Sequence, residues 1–453
     1  MESPAVESRG GQLVGLLAEW VPRQRWFAGK GRHLDGLEIV ARTALSDWFQ
    51  HLIVRVDYAD GGLGDVYQVP VIVRPDAPFG HEGFLIGRLG AGLVYDGLHD
   101  PDGSATLLHF LREGRTQEDL SGVSWDELAD YPAHAVGAEQ SNTSIVYGES
   151  YIMKVFRRLW PGINPDVEVT RALAEAGSTH VARPLAQLSG TLEGEPTTLA
   201  FMQEFLRSGT EGWRLAQASV RDLYAEADLH ADEVGGDFAA ESERLGVATA
   251  EVHQSLADAL PTAAADADYW RSEAAAMQAR LDLALKTVDE LSPHEAGLRA
   301  LFDALADRTA PLGLQRVHGD YHLGQVLRVE SGWVLFDFEG EPARPVAERT
   351  VLAPALRDVA GMLRSFDYAA QSMLMDRDDG AALAYRAREW ADRNRDAFLA
   401  GYAAAAGREV AADVDVLRAL EADKAVYEVL YEARHRPSWL RIPLAALESL
   451  ISR

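Results

Sequence analysis

The two segments that decide the fold are Val317-His318-Gly319-Asp320-Tyr321-His322-Leu323-Gly324-Gln325-Val326 and Trp333-Val334-Leu335-Phe336-Asp337-Phe338-Glu339. The first sets histidine, aspartate and glutamine between apolar residues and contains two glycines, which is typical of a tight loop entered from a buried strand. The second is a short apolar run that delivers an aspartate near its end, as a buried strand leading into a functional turn would. Together they predict a polar site made by a loop and a strand end.

The order and spacing of the polar residues in these segments indicate a type of chemistry. Asp320 is followed five residues later by an amide side chain, Gln325, and twelve residues after that by Asp337. Protein kinases use an aspartate, an amide and a second aspartate in this order. There the first accepts the proton of the acceptor hydroxyl, and the other two hold Mg²⁺ on the phosphates. The pattern therefore predicts phosphoryl transfer.

Composition limits the class of protein and its partners. The chain has 453 residues, 47% of them hydrophobic, which is enough apolar material for two or three domains with real cores. Its formal net charge of −27 would repel nucleic acid and anionic membranes, because both are bound through lysine and arginine. We therefore expect small molecules, metal ions or other proteins as partners, with no nucleic acid and no membrane.

Cysteine content and targeting signals narrow the class further. The absence of cysteine excludes a disulfide framework, thiolate chemistry and cysteine-ligated zinc. Met1-Glu2-Ser3-Pro4 carries acid and proline where a signal peptide needs a basic start and an apolar core. No apolar run approaches the roughly 18 residues that a membrane helix requires. We expect a soluble, cytoplasmic protein.

A lysine within an apolar strand is a second candidate feature. Residues 144–156 are predicted as two strands joined by a glycine-containing turn, with Lys154 in the second strand. Asn164 and Pro165 suit the N-cap and first position of a following helix, and Glu168 lies on its first turns. A strand lysine paired with a glutamate of the next helix aligns the phosphates in kinases. Taken alone, Lys154 could equally lie on an edge strand and extend its ammonium group to solvent.

The rest of the chain divides into a strand-rich part and a helical part. Residues 1–135 are predicted as mixed α/β, with a helix at 11–20 and strands at 52–58 and 66–73. Residues 198–206 are predicted as a strand that leads into a lobe-connecting segment. Further helices are predicted at 239–260, 266–288, 385–406 and 411–433. His253, on the first of these helices, is interpreted as structural rather than as a ligand.

Two polar sets lie in the predicted C-terminal helices. Arg357 and Asp358 begin one helix, and we interpret them as a structural salt bridge that braces the polar loop. Helical spacing puts Glu428 and Glu432 on one face of a later helix, with Trp439 shortly after it. A sugar site uses carboxylates for hydroxyl groups and an indole to stack on the ring. The alternative is a packing helix that ends in an aromatic plug.

These segments resemble the aminoglycoside-phosphotransferase and protein-kinase-like superfamily and, within it, the maltokinase family of actinobacteria. The resemblance rests first on His318-Gly319-Asp320 with Gln325 and on Phe336-Asp337-Phe338-Glu339, and it spans nearly the whole chain. Further matching segments are Arg25-Trp26-Phe27, Glu139-Gln140-Ser141-Asn142-Thr143-Ser144, Lys154-Val155-Phe156-Arg157-Arg158, Gly162-Ile163-Asn164-Pro165, Asp337–Pro342 and Arg357–Tyr368.

The resemblance implies a fold class and a division of the chain. The fold is α+β, a protein-kinase-like two-lobed fold with an N-terminal α/β cap domain and a mostly helical C-terminal lobe. Residues 1–135 form the cap domain with small-lobe elements. Residues 136–206 form the small-lobe strands, the Lys/Glu helix and the hinge, and residues 207–453 form the C-terminal lobe with the catalytic loop and sugar site. ATP is the implied donor, Mg²⁺ the implied metal and a small sugar the acceptor.

The resemblance also assigns roles to single residues. Asp320 would be the catalytic base, Gln325 and Asp337 the Mg²⁺ ligands, and Lys154, oriented by Glu168, the phosphate-binding lysine. The loop that covers the phosphates would be Gln140-Ser141-Asn142-Thr143-Ser144. The backbone that binds adenine would be that of Gln203, Glu204 and Phe205. The candidate acceptor contacts, which the resemblance does not assign, are His322, Glu428, Glu432, Arg434 and Trp439.

Two departures from the protein-kinase pattern concern the metal site. Gln325 stands where protein kinases have asparagine, and Asp337-Phe338-Glu339 stands where they have Asp-Phe-Gly. Both substitutions keep oxygen ligands for a hard cation, so the metal prediction is unchanged.

The implied acceptor is the anomeric hydroxyl of maltose, which would give maltose 1-phosphate. Arg349-Thr350-Val351-Leu352-Ala353-Pro354 differs from the Arg-rich, Pro-Asp-containing segment expected in maltokinases. Because actinobacterial glucosamine kinases resemble maltokinases closely, glucosamine stays open as the acceptor. An aminoglycoside phosphotransferase and a non-catalytic kinase-like binding module are further alternatives. The complete Lys/Glu/Asp/Gln/Asp set favours catalysis over the binding module.

Overall fold

The structure, a computed structural model, describes residues 4–76, 80, 82–137, 141–226, 229–340, 346–375, 377, 380–407 and 410–452. The chain divides into two compact units. The first consists of Met1–Glu168, Ala182–Arg207 and Pro342–Val346, and the second of Val169–Val181, Ser208–Glu341 and Ala347–Arg453. The predicted boundary at residue 207 lies next to the start of the long segment of the second unit. The three-part division of the chain stays a prediction.

The strands in chain order are β1 Leu34–Ala44, β2 Phe49–Tyr58, β3 Asp65–Gln68, β4 Val71–Arg74, β5 Leu85–Leu89, β6 Gly92–Asp96, β7 Thr116–Gln117, β8 Leu120–Ser124, β9 Ala133–Val136, β10 Asn142–Tyr147, β11 Tyr151–Phe156, β12 Arg158–Leu159, β13 Pro184–Leu192, β14 Glu195–Glu204, β15 Thr210–Glu211, β16 Ala263–Ala265, β17 Leu312–Leu314, β18 Val326–Val329 and β19 Gly332–Leu335.

The α-helices are α1 Pro4–Trp20, α2 Pro101–Arg112, α3 Pro165–Glu175, α4 Gly212–Ala225, α5 Ala239–Ala259, α6 Ala267–Leu285, α7 Glu295–Ala306, α8 Val346–Arg349, α9 Leu356–Ser372, α10 Gly380–Ala406, α11 Val414–His435 and α12 Arg441–Ser452. Short 3₁₀ turns connect several of these elements. One of them, Leu323–Gln325, lies in the polar loop and leads into β18.

The first unit contains an N-terminal sheet, here called the cap sheet. Its order is β12-β3-β2-β4-β6-β5, with β1 paired to β2. The predicted strand at 66–73 is two strands, because Pro70 has no backbone N–H for the ladder. The predicted helix at 11–20 is confirmed within the longer α1. Its side chains Leu13 and Leu17 pack with Val54 and Val56 in one buried cluster.

A second sheet in the same unit carries the predicted lysine strand. Its order is β7-β8-β13-β14-β11-β10-β9. Residues 144–156 are confirmed as an antiparallel pair, β10 and β11, in which Ser144 lies opposite Lys154. Side chains from the cap sheet, helix α2 and this second sheet, such as Phe49, Phe110 and Phe201, belong to one buried cluster. The two sheets therefore share a core within the first unit.

The second unit is mostly helical, as predicted. Helices α5, α6, α10 and α11 confirm the four predicted helical segments, although α10 begins earlier, at Gly380. Buried side chains of these helices, α9 and the β18–β19 hairpin form one large core that includes Trp333, Phe366 and Trp390. Within the described residues, no helix is both long and apolar enough to cross a membrane.

Candidate active site

The polar loop is held in place by a buried carboxylate on α9. Asp358 is 2% exposed and accepts hydrogen bonds from the backbone nitrogens of His318, at 2.7 Å, and Gly319, at 3.0 Å. His253 Nε2 lies 3.0 Å from the same carboxylate, and His253 Nδ1 lies 2.9 Å from Tyr402 Oη. Burial acts to raise the pKa of Asp358, but its contacts with His253, and more weakly His318 and Gly319, outweigh burial and lower it. The structural role predicted for His253 is confirmed.

The side chain of Arg357 pairs with Glu273 and not with Asp358, which corrects part of the prediction. Its Nη2 donates to Glu273 Oε2 over 2.6 Å, so the predicted Arg357–Asp358 salt bridge is replaced by two separate contacts. The reason is helical geometry, because consecutive side chains on a helix point in different directions. Gly361 lets α9 approach the loop, since a Cβ there would lie 2.6 Å from the carbonyl oxygen of Tyr321. The bracing of the loop predicted for this helix is confirmed for Asp358.

The predicted base, Asp320, lies beside a lysine that the sequence analysis did not single out. Asp320 Oδ1 is 3.4 Å from the Nζ of Lys424 on α11, and the two side chains are 30% and 31% exposed. This ion pair ties the carboxylate of the polar loop to α11, so the orientation of Asp320 depends on a second element of the unit. One signal was available in the sequence: the chain contains only four lysines, and Lys424 lies between apolar stretches of a predicted helix.

The two predicted metal ligands lie together in the second unit. Gln325 Nε2 donates to Asp337 Oδ2 over 3.1 Å, across twelve residues of chain. Asp337 follows β19 with a φ of 68°, a left-handed conformation that is uncommon outside glycine and frequent at functional sites. A carboxylate oxygen of Glu339 lies within 4.8 Å of one from Asp337. Amide and carboxylate oxygens are the ligands that Mg²⁺ prefers, so this donor set fits the predicted metal.

The imidazole of His322 is held in a defined tautomer. Its Nδ1 accepts a hydrogen bond from the backbone nitrogen of Gly324 at 3.0 Å, which leaves the hydrogen on Nε2. Burial lowers the pKa of His322, while the nearby carboxylate of Asp320 acts against this and Lys424 acts with it. A neutral His322 could donate one hydrogen bond to a ligand through Nε2. Its contact with the acceptor stays a prediction.

The predicted lysine strand is confirmed, and the structure adds a second acid near it. Lys154 lies in β11, and its Nζ is 3.7 Å from Asp166 Oδ2 at the start of α3. Asp166 is 2% exposed, and its backbone nitrogen donates to the side chain of Asn164, the predicted N-cap. The predicted orienting acid was Glu168, one half-turn later on the same helix, and Asp166 was not among the predicted site residues. The assignment of Glu168 as the orienting acid stays a prediction.

The predicted phosphate loop lies partly within the described chain. Gln140 lies outside the described residues, and Ser141 is exposed. Asn142, Thr143 and Ser144 are the first three residues of β10, and none is more than 9% exposed. They are strand residues rather than loop residues, because they pair with β11. This pairing places the segment beside the strand of Lys154, whereas its contact with phosphates stays a prediction.

The predicted adenine-binding backbone follows the end of β14. Gln203 pairs with β11 and β13, and Glu204 is the last residue of the strand. The backbone nitrogen of Glu204 donates to Arg183 O, and that of Phe205 donates to Ser150 O, each over 2.9 Å. Both N–H groups are therefore already used within the first unit. The contact of this segment with adenine stays a prediction.

Two carboxylates predicted to bind sugar are engaged in buried hydrogen bonds. Glu428 Oε2 accepts from the Nε and Nη2 of Arg364 over 3.0 and 2.8 Å. Burial raises the pKa of Glu428, although Arg364 opposes the shift. Glu432 is 1% exposed and accepts from Tyr368 Oη at 3.1 Å and from Arg436 Nη2 at 2.7 Å. A contact of either carboxylate with an acceptor stays a prediction.

The aromatic residue of the predicted sugar site lies against an arginine and a tyrosine. The guanidinium carbon of Arg436 is 4.2 Å from the ring centroid of Trp439, and the ring centroid of Tyr368 is 6.4 Å away. Trp439 is half-buried, and Arg434 is exposed. The arginine in contact with Glu432 and Trp439 is Arg436, which the sequence analysis did not select. The signal in the sequence was the i,i+4 spacing of Glu432 and Arg436, which brings the two side chains together at the end of α11.

Two family models match successive parts of the chain. The "Maltokinase N-terminal cap domain" model matches residues 20–100. The "Phosphotransferase enzyme family" model matches residues 130–420, which is more than half of the chain.

Two curated relatives match most of the chain. A glucosamine kinase of Streptacidiphilus jiangxiensis is 31% identical over 330 residues, which cover 69% of this chain and 72% of the relative. A glucosamine kinase of Mycolicibacterium smegmatis is 30% identical over 337 residues, which cover 73% of this chain and 82% of the relative.

Solved structures of a glucosamine kinase match nearly the whole chain. One, a crystal form B, has a TM-score of 0.74 and 26% identity, and the match covers 97% of this chain and 99% of that chain. Another, in complex with glucosamine, ADP and inorganic phosphate, has a TM-score of 0.71 and 25% identity, with coverages of 96% and 98%.

Proposed function

Since the chain belongs to the phosphotransferase enzyme family, we propose that it is an ATP-dependent sugar kinase whose acceptor is glucosamine. The class of enzyme, an ATP-dependent carbohydrate kinase, follows from the family and from the curated glucosamine kinases, which are about one third identical to it. The observation that carries the proposal for catalysis is the pairing of Gln325 with Asp337 at 3.1 Å, in the same unit as Asp320. A non-catalytic binding module has no need for this arrangement.

The proposed chemistry gives a role to each of the predicted catalytic residues. In the second unit, Asp320 accepts the proton of the acceptor hydroxyl, while the ion pair with Lys424 orients its carboxylate. Gln325 and Asp337 would hold Mg²⁺, which when bound neutralises charge on the phosphates. In the first unit, Lys154 binds phosphate oxygens and Asp166 orients its ammonium group.

We propose glucosamine rather than maltose as the acceptor because the relatives are glucosamine kinases. The two relatives and the two solved structures named above are glucosamine kinases, and one of those structures contains glucosamine with ADP. Maltose, the acceptor first implied by the sequence, stays the second candidate, because residues 20–100 match the maltokinase cap domain. A cytoplasmic location and the absence of nucleic-acid and membrane partners stay predictions from composition.

The acceptor is tested by ADP release from the purified protein with ATP and Mg²⁺, against glucosamine, maltose, glucose and kanamycin. Asp320→Asn is the matched control, because it keeps the size of the side chain and removes the base. Turnover with glucosamine that is lost in the variant would support both the acceptor and the base. Saturation by maltose alone would make maltose the acceptor in place of glucosamine. Saturation by kanamycin alone would indicate an aminoglycoside phosphotransferase. No turnover with any acceptor would refute the proposal.

A further inference from the structure

A cavity in the second unit has a charged wall that belongs to none of the predicted sites. It has a volume of about 70 Å³ and lies between helices α9, α10, α11 and α12. Its charged residues are Asp367 on α9, Arg388, Asp392 and Arg395 on α10, and Glu421 on α11. The wall therefore carries three acids and two arginines, and none of them is a predicted catalytic, nucleotide-binding or acceptor residue.

Helical spacing explains how α10 and α12 form this wall. Arg388, Asp392 and Arg395 are separated by four and three residues, so their side chains extend from one face of α10. Helix α12 contributes the apolar side chain of Ile442 and the short side chain of Ala446. One side of the cavity is therefore charged and the other is apolar.

The inner part of the cavity wall is a buried cluster of acids and arginines. Arg395 Nη1 lies 2.6 Å from Glu421 Oε1 and 3.4 Å from Asp367 Oδ2, and the side chains of Arg395 and Glu421 are 9% and 4% exposed. Arg364 donates to Asp367 and also to Glu428. Three carboxylates thus share two guanidinium groups, which favours a further positive group beside them. An ammonium group has three N–H donors and could bind two of these carboxylates at once.

The outer part of the cavity wall presents a guanidinium group to solvent. Arg388 is exposed and makes no hydrogen bond or ion pair among the residues that the structure describes. A guanidinium group in this state binds a carboxylate through two parallel N–H donors. Acids in the inner part and an arginine in the outer part complement a molecule that carries both an ammonium group and a carboxylate.

The volume of the cavity limits the size of such a molecule. A single water molecule requires roughly 10–15 Å³ of a cavity, so 70 Å³ has room for about five or six non-hydrogen atoms. Glycine and alanine have this size and carry both charged groups. The methyl group of alanine would match the apolar side formed by Ile442 and Ala446.

We propose that this cavity is a binding site for a small aliphatic α-amino acid. The ammonium group of the ligand is bound by Asp367 and Glu421, and its carboxylate by Arg388. The site goes beyond the proposed kinase function and does not depend on it, because none of its residues has a role in the proposed chemistry.

The test measures the binding of L-alanine to the full-length protein by calorimetry. Ethylammonium and propionate serve as comparison ligands, because each carries only one of the two charged groups. We expect a Kd of about 1 mM for L-alanine, since a ligand this small makes few contacts. Each comparison ligand should have a Kd at least about 10-fold higher, because it leaves one charged side of the cavity without a partner.

Two variants locate the bound amino acid. Arg388→Gln removes the guanidinium group, and Ala446→Leu fills the cavity from its apolar side. Each should raise the Kd for L-alanine by about 10-fold or more. The matched control is Arg221→Gln, which removes an exposed arginine of α4 and should leave the Kd unchanged. If Ala446→Leu lowers Tm strongly, Arg388→Gln still tests the proposal, because it changes an exposed side chain.

Every outcome of these measurements supports or overturns the proposal. Binding of L-alanine that both cavity variants weaken and the control leaves unchanged would support it. No binding of glycine or L-alanine at about 20 mM, well above the expected Kd, would overturn it. Equal affinity for L-alanine and propionate, or wild-type affinity in both cavity variants, would overturn it as well. None of these measurements involves ATP or a sugar, so a negative result leaves the proposed function intact.

Discussion

The carboxylate of Asp358 lies 2.7 Å from the backbone nitrogen of His318, two residues before the predicted base. The two residues are separated by 40 positions in the chain, and the contact joins the start of α9 to the polar loop. The second carboxylate oxygen accepts from Gly319, so both backbone donors that precede Asp320 are fixed by one buried side chain. The orientation of the base therefore depends on a residue that does not itself need to contact the substrate.

Asp358→Asn should lower both stability and activity. The amide can accept one hydrogen bond, but its NH₂ group would face a backbone donor or the imidazole of His253. We expect a loss of about 3 kcal/mol in the free energy of unfolding, measured by urea denaturation at pH 7. Asp367→Asn, on the same helix, is a comparison variant at a less buried carboxylate. Equal stability of wild type and Asp358→Asn would contradict the bracing role.

The stability difference between wild type and Asp358→Asn should also depend on pH. Because the folded-state pKa of Asp358 is lowered, its contribution to stability is fully present above the unfolded value of about 4 and is lost as the pH falls through the folded value. The difference in unfolding free energy between wild type and Asp358→Asn should therefore shrink as the pH is lowered below about 4. A difference that grows on acidification would show that the sign of the pKa shift is wrong.

Asp337→Asn should weaken Mg²⁺ binding and slow the reaction. The substitution keeps the shape of the side chain and its contact with Gln325 but removes the charge that a divalent cation requires. We expect kcat to fall by about 100-fold or more, with a rise in the Mg²⁺ concentration needed for half-maximal rate. The measurement is a Mg²⁺ titration of ADP release. An unchanged Mg²⁺ titration would exclude Asp337 as a ligand.

Lys424→Met should lower kcat, whereas Lys424→Arg should retain most of it. The arginine keeps a positive charge beside Asp320, and methionine keeps only the apolar stem. A hydrogen bond between charged groups is worth about 1.5–3 kcal/mol, which corresponds to a decrease in kcat of about 10- to 100-fold. Lys286→Met, on an exposed turn, controls for the loss of a lysine. Equal losses in the methionine and arginine variants would mean that shape rather than charge is needed.

Asp166→Asn and Glu168→Gln distinguish the two acids near Lys154. The structure places Asp166 Oδ2 3.7 Å from the ammonium nitrogen, so we expect Asp166→Asn to raise the KM for ATP by about 10-fold. Glu168→Gln should have the smaller effect. Steady-state kinetics at varied ATP, with saturating acceptor, provides the comparison. A larger effect of Glu168→Gln would restore the assignment made from the sequence.

Much of the fold followed from local sequence patterns. The strand pair that carries Lys154, the capped helix after it and the long C-terminal helices were predicted from periodicity and capping residues, and all are confirmed. The predicted fold class, protein-kinase-like with an N-terminal cap domain, is confirmed by the family matches and the solved glucosamine kinases. These features could be predicted because each depends on residues that are close together in the chain.

The sequence by itself determined the order and type of the catalytic residues, because Asp320, Gln325 and Asp337 lie on one short loop and hairpin. The tertiary structure decided which side chains surround them. Lys424 reaches Asp320 across 104 positions, and Asp358 reaches the loop across 40. Such partners are set by the packing of whole helices and sheets. Helical spacing alone does not distinguish a carboxylate that is bound by an arginine, such as Glu428, from a carboxylate that faces a ligand.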